Sequence, residues 1–85
     1  MGIDEQDPQR RAVQEENRRL RYLQFLVDLA LLEIRSGRFT RPQAERVAAN
    51  LRTQALQLFP GKDEAFDLIY RPRLRRAITE AFQLH

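Results

Sequence analysis

The chain has 85 residues, room for one small domain and no second independent core. Hydrophobic residues at 42% and charged residues at 32% place it among globular sequences and exclude the disordered class. It has no cysteine, one histidine (the terminal His85) and a formal charge of +3, which excludes a disulfide framework and a thiolate metal site and leaves little for imidazole chemistry.

The first seven residues are acidic and polar, opposite in character to a secretory leader. Met1-Gly2 would begin an acylation motif, but Gln6 stands where that motif needs Ser or Thr. The expectation is a flexible N-terminus over 1–7, a single helical domain over 8–85 and a cytoplasmic protein. Asp7-Pro8 then marks a helix start, with Asp as the cap and Pro in the first turn. Nothing breaks the helix before Ser36, and Gly37 supplies the left-handed residue that commonly closes one. The early part, Gln9 to Arg19, is polar, with Arg11, Glu15 and Arg19 at i,i+4 spacing, and reads as a solvated extension.

Between Leu20 and Ile34, eleven of fifteen positions are apolar, more than a surface helix needs. Arg21, Gln24, Asp28 and Arg35 fall within about 60° of one another on a helical wheel, and Glu33 alone interrupts the apolar remainder. The segment is too short and too charged to span a bilayer. It needs cover on at least two sides, so it is the central helix of the domain or also buries surface against another chain. Val13, Leu20, Val27 and Ile34 are spaced by seven, with Leu23 and Ala30 three further on. Glu16 breaks this heptad pattern, and packing within one chain explains the spacing as well as a two-stranded pairing does.

Phe39-Thr40-Arg41-Pro42-Gln43-Ala44 starts the next helix: Thr40 and Gln43 form a capping box, and Phe39 and Ala44 sit where a hydrophobic staple pairs. Ala44, Val47, Ala48, Leu51, Ala55 and Leu58 give it one apolar face, and the short link predicts an antiparallel hairpin with the first helix. Phe59-Pro60-Gly61 closes it. Lys62 to Tyr70 predicts a short helix with Phe66 and Ile69 inward, and Asp63 and Glu64 match its dipole. Arg71-Pro72 breaks it, and Pro72 opens a last helix with Leu74, Ile78, Ala81 and Phe82 inward. The expected fold class is all-α: a small helical bundle with a long first helix, an antiparallel second helix, a short third helix and a final helix.

No nucleophile–base set, phosphate loop or metal-ligand spacing is present, which predicts a non-enzymatic protein with no cofactor, no metal and no small-molecule substrate. Glu33, away from the polar stripe, calls for an arginine partner such as Arg52 or Arg75. Arg71, Arg73, Arg75 and Arg76 crowd a helix start, where the dipole disfavours positive charge. They mark a possible anion site unless Asp63, Glu64 and Asp67 neutralise them. The function expected is a protein–protein interaction or self-association module, a homodimer or a complex with a protein partner. It would dock through Leu20, Leu23, Leu26, Val27, Leu31 and Ile34 of the first helix. The alternative is a nucleic-acid-binding domain using Arg35, Arg38, Arg41, Arg46 and Arg52 with residues 71–76. Residues 34–62 carry six basic side chains against Glu45 alone, although arginine-favouring codons account for such a composition too.

Overall fold

The computed structural model describes residues 7–83; the segment expected to be flexible, Asp7 apart, lies outside the described residues. The described residues form four helices and no strand: α1 (Pro8–Arg35), α2 (Arg41–Leu58), α3 (Asp63–Ile69) and α4 (Arg71–Ala81). The fold class is all-α.

Local chemistry explains the boundaries. Asp7 caps the first helix, its carboxylate accepting the Gln9 N–H at 3.0 Å, while Pro8 occupies a position that has no hydrogen bond to lose. At the other end the Ser36 hydroxyl donates to the Glu33 carbonyl at 2.6 Å and accepts the Arg38 N–H at 3.2 Å. Gly37 then reverses the chain at φ 77°, a conformation that costs glycine nothing. The capping box of α2 is complete: Thr40 Oγ1 accepts the Gln43 N–H at 3.3 Å, and Gln43 Oε1 accepts the Thr40 N–H at 2.9 Å. α3 and α4 share the single residue Tyr70, whose carbonyl accepts the Leu74 N–H at 3.0 Å. The break falls one residue earlier than expected: Arg71 is helical, because Pro72 sits in the first turn of α4, where its missing N–H has no partner to lose.

α1 packs against α2 and α4, and α3 packs on α2 and α4 but not on α1. Large side chains of α1 meet small ones opposite. Val27 and Ile34 are each 1% exposed, and Ala44 of α2 and Ala77 of α4 are fully covered. Leu23, Ala30 and Leu31 complete the α1 seam, with Leu51, Ala55, Phe66, Leu74 and Ile78 supplied by its neighbours. The heptad-like spacing through Leu23, Val27, Ala30 and Ile34 is thus satisfied inside one chain. Ile69 departs from its expected core role and is exposed, because one short helix lying across the bundle turns only Phe66 fully inward. Phe66 and Tyr70 stack at 5.4 Å with their planes tilted by 43°.

The bundle covers only the second half of α1. Residues 7–22 are all exposed, and the described chain measures 60 × 24 × 16 Å. Its radius of gyration, 16.4 Å, exceeds the value of about 12 Å for a compact chain of this length because the first half of α1 projects as an arm. Two positions on the same helix separate core from surface. Ile34→Ala should lower unfolding stability by about 2–4 kcal/mol, whereas Leu32→Ala should cost under about 0.5 kcal/mol, measured by urea denaturation at high dilution.

Candidate functional site

α1 has two apolar arcs. Side chains of Leu23, Val27, Ala30, Leu31 and Ile34 fill the arc facing α2 and α4. Tyr22, Phe25, Leu29 and Leu32 fall on a second arc, centred about 170° away at 100° per residue. These four remain 52%, 59%, 40% and 68% exposed. Arg21, Gln24, Asp28 and Arg35 border this outer arc on one side, all exposed; half-buried Leu26 and Glu33 border it on the other.

The docking surface expected from sequence therefore moves. Leu23, Val27, Leu31 and Ile34 are core residues of the single chain and are unavailable to a partner; Leu26 is half-buried, and Leu20 is exposed where the arm leaves the bundle. A phenol at position 22 was the available signal for the outer arc, since a tyrosine hydroxyl keeps a helix face in reach of water. A smaller apolar groove of about 280 Å³ opens where α1 and α3 fail to meet, lined by Leu20, Leu56, Phe59 and Ile69 among others.

The basic residues are also redistributed. Arg52 Nε and Nη2 donate to the two carboxylate oxygens of Asp67 at 2.8 and 3.1 Å, a forked pair that ties α2 to α3. Asp63 adds a contact to Arg52 at 3.8 Å. The Asp67 carboxyl is held below its usual range, chiefly by the Arg52 hydrogen bonds and then by the charges of Arg52 and Arg71, against an opposing desolvation effect. The same hydrogen bond raises Arg52 further above its ordinary range. Two of the acids expected to neutralise the α4 cluster are thus engaged by Arg52, and Glu64 makes no ion pair among the described residues. Glu33 is not the partner of Arg52 or Arg75: it is half-buried and makes no ion pair among the described residues. Arg35 pairs loosely with Glu80 at 3.8 Å.

The four arginines of α4 do not converge on one point. Arg71 and Arg75 line a cleft of about 640 Å³ between α2 and α4, together with Arg41, Arg52 and Thr79. Arg76 joins Arg71 and Arg75 on the outer side of α4, while Arg73 lies on the α1 side near Gln24 and Asp28. Among the described residues no group of His, Cys, Asp and Glu side chains could hold a metal ion, and no helix is long and apolar enough to cross a membrane.

No protein-family model matches the chain, and neither a curated protein nor a solved structure matches it.

The Arg52–Asp67 pair makes stability depend on acid. Because folding lowers the Asp67 pKa, its contribution is complete above the unfolded value of about 4 and is lost as pH falls through the folded value. Urea midpoints should decline for the wild type below about pH 4, and Asp67→Asn should start lower at neutral pH and show a shallower decline. Equal acid dependence in both proteins would contradict a stabilising role for the pair.

Proposed function

We propose that the protein is a non-enzymatic docking module that receives an apolar helix of a protein partner along the outer arc of α1. The observation that carries the reading is the contiguity of Tyr22, Phe25, Leu29 and Leu32, four large side chains on three turns of one helix with no core to join. Together they expose roughly 500 Å² of mostly apolar surface, at the upper end of the largest patch found on ordinary monomers. A helix face laid along such a stripe buries anchors at i, i+3, i+7 and i+10, the spacing by which helix-in-groove and helix-on-helix recognition works. The fold does not need these side chains, which touch solvent and contribute little to the core.

The test is Phe25→Ser combined with Leu32→Ser. Circular dichroism and the thermal midpoint at high dilution should stay close to wild type, because neither side chain supports the bundle. The wild type should either associate in sedimentation experiments or, when dilute, enhance the fluorescence of anilinonaphthalene sulfonate; the double variant should do neither. A wild type that does neither would overturn the reading.

A second reading, nucleic-acid binding, is favoured by one observation: Arg73, Arg75 and Arg76 make no ion pair among the described residues, while Asp63, Asp67 and Glu80 pair with Arg52 and Arg35. Such arginines suit phosphate oxygens. It predicts retardation of a short oligonucleotide at low salt, with affinity falling steeply as salt rises and weakened by Arg75→Ala and Arg76→Ala. Absence of binding at low salt would remove it.

A further inference from the structure

We infer that the helix received by the outer arc is α1 of a second copy, packed antiparallel about a two-fold axis that crosses the outer arc at the level of residue 27, between Phe25 and Leu29. This rests on the docking reading above and names its partner. The first support is spacing. Tyr22 and Leu32 are equidistant from position 27, and so are Phe25 and Leu29, so an antiparallel copy sets Tyr22 against Leu32 of the partner subunit and Phe25 against Leu29 of the partner subunit. A two-fold interface demands this self-complementarity, in which each aromatic ring meets an aliphatic side chain and no residue meets itself.

The second support is area. Full coverage of these four residues in both copies would remove at most about 1,000 Å² from water, the lower bound for a specific interface, so the flanking Leu26, Arg18 and Glu33 must contribute as well. The arc lies nearly opposite the intrachain seam, so the approach of a second α1 displaces nothing. In the pair, α1 becomes a central helix with α2 and α4 behind it and a second α1 in front.

The third support is charge. Arg18 lies on the axis of the arc one turn before Tyr22 and makes no ion pair among the described residues; Glu33 borders the arc at its other end and makes none among them either. Antiparallel pairing brings Arg18 opposite the C-terminal turn of the partner's α1, where Glu33 and the negative end of the helix dipole both favour a cation. Parallel pairing would stack Arg18 on Arg18 and Glu33 on Glu33.

The chain has no cysteine, so Gln14→Cys on exposed α1 takes a single nitroxide label. Position 14 lies opposite position 40 in the antiparallel register, which places two labels about 40 Å apart at 1.5 Å per residue. Pulsed dipolar spectroscopy at a concentration that sedimentation shows to be dimeric should give that distance. Labels within about 20 Å would overturn the antiparallel arrangement and leave docking intact. A protein that stays monomeric up to the highest soluble concentration, with no dipolar signal, would overturn self-pairing; if it still binds the dye, the docking reading survives alone. Charge reversal supplies an independent arm. Arg18→Glu and Glu33→Arg should each weaken the dimer by about three- to tenfold, and the double variant should recover most of the loss. Failure of the double variant to recover would remove the Arg18–Glu33 pairing.

Discussion

The seam between α1 and the pair α2 and α4 governs the molecule, because α1 supplies bulk while its neighbours supply room. Val27 and Ile34 can sink completely only because Ala44, Ala55 and Ala77 let the other backbones come close. Two helices drawn in on one side of a third shelter little more than a third of its circumference, and α3 is too short and too far displaced to extend that cover. The opposite arc of α1 is consequently bare however well the seam packs. Its apolar content is a property of the surface and not a defect of the core.

The same geometry organises the charges. Arg52, set between the seam residues Leu51 and Ala55 of α2, fixes α3 through Asp67, which gives the short third helix a directional anchor besides the burial of Phe66. A seven-residue helix with no side-chain cap has little stability of its own, so the forked pair and one aromatic side chain hold it. The consequence is felt on α4. With Asp63 and Asp67 paired to Arg52, only Arg71 among the arginines that follow Tyr70 helps to lower the Asp67 pKa, so the dipole conflict at the start of α4 is compensated in part.

Features set by neighbours in sequence were legible, and those set by the mutual placement of helices were not. Asp7-Pro8, the Thr40–Gln43 box and Gly37 each act within a turn of the residue concerned, so helix boundaries follow from local chemistry alone. The over-apolar circumference of α1 was also readable. Which arc of it would be covered was not, since Leu23, Val27, Leu31 and Ile34 match Tyr22, Phe25, Leu29 and Leu32 in hydrophobicity, and the heptad register drew attention to the arc that the chain keeps for itself. β-branched Val27 and Ile34 against a tyrosine at 22 was the discriminating contrast. The Arg52–Asp67 pair spans fifteen residues and depends on how α3 crosses α2, which no periodicity encodes. Ile69 is exposed although its spacing from Phe66 predicts it inward, because the two-turn helix buries one residue and not a full stripe.

The projecting half of α1 follows from the same constraint. An isolated helix of this length is marginal in water, so the arm's order is borrowed cooperatively from the part of α1 clamped in the bundle. The Asp7 cap and the Glu15–Arg19 pair, at 3.6 Å, add small local terms at the far end. Anything that immobilises the clamped half through its outer arc lengthens the rigid template from which the arm propagates. Occupation of Tyr22, Phe25, Leu29 and Leu32 would then stiffen residues that the occupant never touches, which couples docking on α1 to the order of its arm through the continuity of one helix.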